Sequence, residues 1–106
     1  MPTTARFIVL WGTPTEPEAF DRHYREVHIP LARRLPGLRR YTLSRNAARM
    51  RGEEPFHQIA ELDWDDMAAL RSAFNSELGR AIAEDVNHLS QWASVRSMVY
   101  ELDDHL

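Results

Sequence analysis

The chain of 106 residues contains no cysteine, and this absence excludes several kinds of chemistry. Disulfides, thiolate zinc sites, iron–sulfur clusters and a cysteine nucleophile all require thiols. About 100 residues are enough for one domain with its own hydrophobic core and without such supports. The sequence therefore predicts a single domain over residues 1–106 that is stabilised by packing.

Long apolar runs and a strong excess of one charge are also missing. No stretch approaches the roughly 18 apolar residues of a membrane span, and the segment MPTTARFIVLWG does not have the pattern of a signal peptide. The net charge is −3, whereas nucleic-acid binders usually carry a basic excess on one face. We expect a cytoplasmic protein that binds neither membranes nor nucleic acid.

Four stretches have the composition of β-strands. The apolar run RFIVLWG, from Arg6 to Gly12, predicts a strand that is buried on both faces. The segments LRRYTLSRNA and FHQIAELDW predict a second and a third strand, separated by the polar loop ARMRGEEP. The fourth predicted strand is VRSMVYEL, which places two valines on one side and Met98, Tyr100 and Leu102 on the other.

The stretches between these strands have helical spacing. The first helix is predicted to begin after Thr15 as the N-cap, with Glu18 completing a capping box, and to end at Pro36-Gly37. The second helix follows DWDD, where Asp63 or Asp65 can serve as the cap. Its apolar face is formed by Met67, Leu70, Phe74 and Leu78. The polar NSE segment and the glycine after it should divide this helix into two pieces.

The order β-α-β-β-α-β defines an α+β class, the ferredoxin-like fold, in which one four-stranded antiparallel sheet carries its helices on one face. The other face of such a sheet is normally polar, but the first and last strands are apolar on both sides. An uncovered apolar face predicts a partner. A second copy related by two-fold symmetry is the simplest one, so we expect a homodimer formed through the open sheet face.

Two histidines lie near the apolar stripe of the first helix. On an ideal α-helix His23 and His28 diverge by about 140°, which disfavours a shared metal ion, and we expect no structural metal. Pro30 removes the hydrogen bond near the carbonyl of Glu26 and tends to kink the helix. Such a kink would turn His28 toward the sheet; the alternative is that His28 is a boundary residue bonded to a backbone carbonyl.

The spacing F-x-x-H-Y-x-x-x-H-x-P-L-x-x-x-L-P-G-L-x-x-Y, together with a short first strand and the terminal VRSMVYEL strand, resembles the EthD family of the dimeric α/β-barrel superfamily. The resemblance implies that two protomers join their sheets into an eight-stranded barrel, with a small pocket between sheet and helices in each. It also implies that His28 is the family's recurrent histidine, and it extends less directly to His23. Relatives in the superfamily include isomerases, cyclases, dehydratases, cofactor-free monooxygenases and haem-degrading oxygenases.

Several aromatic side chains are candidates for the lining of a pocket that binds a small apolar metabolite. They are Trp11, Tyr24, Tyr41, Phe74 and Tyr100, for which the alternative is simple core packing. Glu61 interrupts an apolar strand, either beside a histidine or outward at the surface. His57 begins a strand, and His88 lies in the stretch VNHLSQW, which is predicted to be irregular.

The leading hypothesis is a cofactor-independent enzyme in which His28 and His23 transfer protons on an apolar oxygenated cyclic or aromatic compound. Imidazole has an ordinary pKa of about 6.5 and acts as acid and base near neutrality. No nucleotide-binding glycine motif and no G-x-S-x-G elbow is present. The alternatives are a non-catalytic metabolite-binding protein and, with less support, a monooxygenase or haem-degrading relative.

Overall fold

A four-stranded antiparallel sheet forms the centre of the computed structural model, which describes residues 4–106. Its strands lie in the order β2-β3-β1-β4. They are β1 Thr4–Gly12, β2 Arg40–Leu43, β3 Phe56–Trp64 and β4 Val95–Leu102. The helices are α1 Pro17–His23, α2 Ile29–Ala32, α3 Met67–Phe74 and α4 Glu77–Leu89, with a π-helical segment Tyr24–His28 between α1 and α2. The predicted ferredoxin-like topology is thus confirmed.

The hydrophobic core lies between one face of the sheet and the helices. Alternate residues of β1, namely Ala5, Val9 and Trp11, are buried there, as the two-residue period of a strand requires. Antiparallel pairing places residues of β3 beside them, for example Ala60 opposite Val9. The helices cover these residues with Phe20, Leu70, Ile82 and Leu89, all buried.

Within residues 4–106 no helix packs against the opposite face of the sheet, which is only partly apolar. Ile8 and Leu10 of β1 lie beside Met98 and the other even-numbered residues of β4, and Met98 is 53% exposed. Arg6 is on the same face and forms two hydrogen bonds, of 2.7 and 3.0 Å, to the carboxylate of Asp63. The prediction of an apolar open face therefore holds at Ile8, Leu10 and Met98 but not around the Arg6–Asp63 pair.

The first helix begins one residue later than predicted, at Pro17. Its N-cap residue is Glu16, and no side chain caps it. Thr15 instead donates its backbone N–H and its hydroxyl to the carbonyl of Trp92, at 2.7 and 3.3 Å. Because Thr15 lies one position before the N-cap residue Glu16, the predicted capping box with Glu18 does not form.

The second helical region is divided as predicted, but its caps differ. The side chain of Asp66, rather than Asp63 or Asp65, accepts the N–H of Ala69 at 2.8 Å and caps α3. The break between α3 and α4 falls at Asn75 and Ser76, and the hydroxyl of Ser76 caps α4. The glycine at position 79 lies inside α4, where any larger side chain would overlap the backbone of Phe74.

Further boundaries differ from the predicted ones. The first helical region ends at Ala32 rather than at Pro36-Gly37, and β1 begins at Thr4 rather than at Arg6. Strand β2 spans four residues, Arg40–Leu43, because Ser44 already leaves the ladder and bonds to the backbone of Ile59. The stretch containing His88 is not irregular: His88 belongs to the last turn of α4, which ends at Leu89.

Candidate active site

A π-helical segment, Tyr24–His28, positions the two histidines of the first helical region. Pro30 has no N–H, so the α-helical hydrogen bond to the carbonyl of Glu26 cannot form. One residue earlier, the N–H of Ile29 bonds to the carbonyl of Tyr24, five positions back. This i→i+5 spacing widens the turn, so residues five apart lie on nearly the same side. The predicted divergence of His23 and His28 by about 140° is therefore wrong.

Both histidines bond to one carboxylate, that of Asp85 on α4. The Nδ1 atom of His28 lies 2.7 Å from Oδ2 of Asp85, and the Nε2 atom of His23 lies 2.6 Å from Oδ1. The His28 side chain is 8% exposed, the Asp85 side chain 10% and the His23 side chain 20%. The carboxylate thus separates a buried imidazole from one that reaches solvent.

The carboxylate fixes the tautomer of His28. A carboxylate only accepts hydrogen bonds, so Nδ1 of His28 carries the hydrogen and donates it to Asp85. The Nε2 atom of the neutral ring then keeps its lone pair and is the basic atom. Burial lowers the pKa of His28, while the hydrogen bond to Asp85 and its charge act in the opposite direction. The buried ring is consequently neutral at physiological pH and free to accept a proton.

Two tyrosine hydroxyls lie beside this imidazole. The ring centroid of Tyr24 is 4.8 Å from that of His28, and the hydroxyls of Tyr24 and Tyr41 are 2.8 Å apart. Burial raises the pKa of both tyrosines, so both hydroxyls keep their hydrogens. One hydroxyl donates to the other, which leaves the second hydrogen available to a ligand.

His28, Tyr24 and Tyr41 share a small cavity between the sheet and the helices, with a volume of about 20 Å³. The remaining lining residues are Phe7, Val9, Trp11, Ala32, Leu35, Ala60, Leu62, Phe74, Ile82 and Val86. A cavity needs about 10–15 Å³ for one water molecule. The cavity is therefore almost filled by its own side chains, and a cyclic metabolite needs some of them to move.

One wall of the cavity is also the wall of a surface groove. Phe7 and Phe74 line both spaces, and their rings meet edge to face with centroids 4.8 Å apart. The groove has a volume of about 260 Å³ and continues along Leu70, Arg71 and Val99. This aromatic pair is therefore the partition between the buried cavity and the surface.

The structure brings most of the predicted pocket residues together. Trp11, Tyr24, Tyr41, Phe74 and His28 all line the cavity. Two predicted site residues, His23 and Tyr100, do not.

His23 lies one hydrogen bond further out, beyond Asp85, with its ring 4.4 Å from that of His88. Tyr100 pairs with Arg6 across the ladder and lies on the open sheet face, away from the cavity. Its side of β4 alternates with that of Val99, which faces the helices.

Other sequence candidates also lie outside the cavity. Glu61 is on the open sheet face, where one carboxylate oxygen is 3.5 Å from the guanidinium of Arg6, so the surface interpretation is correct. His57 follows an irregularity in the β1–β3 ladder, and its Nε2 atom is 2.8 Å from the carboxylate of Asp21.

Asp85 was not singled out in the sequence, although a signal for it exists. Ile82, Val86 and Leu89 recur at helical spacing and form the apolar side of α4. Asp85 stands three residues after Ile82 and so lies within this apolar stripe. A carboxylate at such a position must find buried partners, and two histidines in another helix are suitable ones.

Residues 4–106 contain neither a cluster of metal ligands nor a helix suited to span a membrane. Their histidines and carboxylates form no group of three or more that is arranged to hold a metal ion, and the expectation of no structural metal stays a prediction. No helix of this part of the chain is long and apolar enough to cross a membrane.

The ferredoxin-like fold and the cavity under its helices place the molecule among small α+β proteins. The model of the EthD domain matches residues 13–91, which is most of the chain, and the chain belongs to the EthD family. An EthD family protein from Bacillus halodurans has a similar structure, with a TM-score of 0.82, 30% sequence identity and coverage of 94% of this chain and 99% of that one.

Two other relatives are more distant. An uncharacterized 11.0 kDa protein of the thcB-thcC intergenic region of Rhodococcus erythropolis is 28% identical over 81 residues, which cover 76% of this chain and 79% of that protein. A mutant of SnoaB, a cofactor-independent oxygenase from Streptomyces nogalater, has a TM-score of 0.68 at 19% identity, with coverage of 97% and 96%. The likeness to SnoaB shows the fold alone.

Proposed function

We propose that this protein is a small cofactor-independent enzyme in which His28 acts as general base and acid on an apolar, oxygenated cyclic or aromatic metabolite. The observation that carries the proposal is the buried imidazole of His28, bonded through Nδ1 to Asp85 at 2.7 Å in a cavity with apolar walls. A carboxylate that orients a histidine and supports its protonated form is a recurring arrangement in proton-transfer enzymes.

The polar groups of the cavity suit reactions that move a proton beside an oxygen atom. Nε2 of His28 accepts a proton from an acidic C–H or O–H bond of the substrate. The free hydroxyl hydrogen of the Tyr24–Tyr41 pair then stabilises the negative charge that develops on the substrate oxygen. Isomerisation, aldol-type cyclisation and dehydration all use these two elements, so the reaction type is that of an isomerase, cyclase or dehydratase.

The substrate enters, in this proposal, by displacing Phe74 from Phe7. This step is required because the cavity of about 20 Å³ is too small for a ring compound. A Phe74→Ala variant should bind a small aromatic probe such as 1-naphthol about tenfold more tightly than the wild type, equivalent to about 1.4 kcal/mol. Fluorescence titration measures the two affinities, and equal affinities would show that Phe74 does not limit access.

The open sheet face supports a second part of the proposal, a symmetric homodimer. Ile8, Leu10 and Met98 present apolar side chains on this face, and a second copy would cover them. Sedimentation at micromolar concentration should give about twice the protomer mass of 12.3 kDa, and a stable monomer would contradict the dimer.

A cytoplasmic location belongs to the same proposal and is tested by fractionation of cells that express the tagged chain.

Turnover of a panel of lactones and hydroxylated aromatic compounds tests the enzymatic proposal. With a substrate from this panel, His28→Gln should lower the rate by about 10²-fold or more, the usual range for loss of general acid–base catalysis. His57→Gln is the matched control, because His57 pairs with Asp21 outside the cavity. Binding without turnover would favour the metabolite-binding alternative, and an unchanged rate in His28→Gln would refute the role of His28.

A further inference from the structure

The carboxylate of Asp85 is shared between two imidazoles of different exposure. Its two oxygens accept hydrogen bonds from His28 at 2.7 Å and from His23 at 2.6 Å. We infer that His23 is a positioning residue that holds one proton jointly with His28, so that proton uptake by His28 during the proposed reaction is coupled to proton release from His23 into water. This inference rests on the proposed function of His28.

The charges of the cluster limit it to one extra proton. With one imidazolium, the cluster of His23, Asp85 and His28 is neutral; with two, it carries an uncompensated positive charge in a mostly buried place. Buried like charges oppose each other strongly because the surroundings screen them weakly. The second protonation is therefore disfavoured, and the histidines titrate as an interacting pair.

Exposure decides which histidine takes the first proton. The side chain of His23 is 20% exposed and that of His28 only 8% exposed, so water stabilises a charge on His23 better. The other titratable groups that face the pair are His88 from α4, whose ring lies 4.4 Å from that of His23, and the hydroxyls of Tyr24 and Tyr41. In the singly protonated cluster the proton is thus on His23, and His28 is neutral with Nδ1–H bonded to Asp85.

The proton balance of the reaction follows from this arrangement. When the substrate C–H or O–H bond breaks, its proton goes to Nε2 of His28 and the bonding electrons stay on the substrate. The Nδ1 proton of His23 then leaves to water, and Asp85 compensates the new imidazolium at His28. The charge of the cluster is the same before and after the step. Returning the proton to the product reverses both transfers.

Titration of the histidines by NMR, with ¹⁵N-labelled histidine and without any ligand, tests the coupling. In His23→Gln the amide can still donate to Asp85 but carries no charge. The titration midpoint of His28 should then rise by about 1 pH unit, a tenfold change in proton affinity that is typical of strongly interacting sites. The same rise is expected in His23→Asn, whose side chain is also an uncharged amide.

The two variants of His23, to glutamine and to asparagine, keep the test decisive even where one of them folds poorly. His57→Gln, which alters an exposed pair with Asp21, should leave both midpoints unchanged. An unchanged midpoint of His28 in both His23 variants would overturn the inference and leave His23 a structural residue.

The pH profile of turnover supplies a second readout once a substrate is found. In His23→Gln the acidic limb of the pH profile of kcat/KM should shift to higher pH. The shift should equal the rise in the titration midpoint of His28. A normal rate in His28→Gln would instead refute the proposed function, and the ligand-free titrations would still decide the coupling by themselves.

Discussion

The hydrogen bond between His28 and Asp85 should be measurable as a coupling free energy in a double-mutant cycle. Asp85→Leu removes the acceptor and leaves the Nδ1–H of His28, 8% exposed, without a partner. An unsatisfied buried polar group costs about 1–3 kcal/mol. His23 contributes less to this loss because water reaches its side chain, which is 20% exposed.

The reverse change, His28→Leu, leaves the carboxylate of Asp85 with His23 as its one histidine partner. Hydrogen bonds to charged groups contribute about 1.5–3 kcal/mol, so a loss of similar size is expected. The double variant removes both polar groups and places two apolar side chains beside Ile82 and Val86. Its destabilisation should be smaller than the sum of the single losses, with a coupling of about 2 kcal/mol.

Urea denaturation at pH 7.5, followed by tryptophan fluorescence, measures these free energies. Trp11 and Trp64 are fully buried and report on unfolding. All four proteins must be compared at one protein concentration, since association changes the apparent stability. Losses that add to within about 0.5 kcal/mol are the behaviour of independent sites and would refute the view that Asp85 and His28 act as a pair.

Three further predictions concern stability and assembly. The native pKa of His28 is lowered by burial, so the unfolded chain takes up its proton first as the pH falls below about 6.5. The free energy of unfolding should therefore decrease with falling pH in that range, and less so in His28→Leu, as measured by urea denaturation. Gly79→Ala should lower stability by about 1–3 kcal/mol in the same assay, because its methyl group overlaps the backbone of Phe74. Met98→Glu should shift the protein toward monomer in sedimentation, because it places a charge on the open sheet face.

The order of strands and helices could be predicted because it follows from long, regular apolar patterns. Strand β1 contains the whole run Arg6–Gly12, and strand β4 coincides with the alternating segment VRSMVYEL. Helix starts were less predictable, because they depend on which of several polar side chains is free to cap. Thr15 and Asp63 both have suitable side chains, but Thr15 lies one position before the N-cap Glu16, and Asp63 lies inside β3 and bonds to Arg6.

The residues of the site were only partly predictable for two physical reasons. Adjacent strand residues point to opposite faces, so an aromatic side chain such as Tyr100 can be assigned to the cavity and lie on the other side of the sheet. The role of Asp85 in the site, by contrast, is indicated only by its hydrogen bonds to His23 and His28. Its position in the apolar stripe of α4 indicates buried contacts, but the sequence does not say with which residues.

The π-helical segment explains why the partners of Asp85 were not recognised and why the site exists. On an α-helix, His23 and His28 would diverge by about 140°, and one carboxylate could not bond to both. The missing N–H of Pro30 makes the α-helical bond to Glu26 impossible, and the bond from Ile29 to the carbonyl of Tyr24 replaces the regular spacing. Pro30 is thus the local cause of the wider helical turn at Tyr24–His28. A regular, leucine-rich helix would be more stable, but it could not place two imidazoles on one carboxylate.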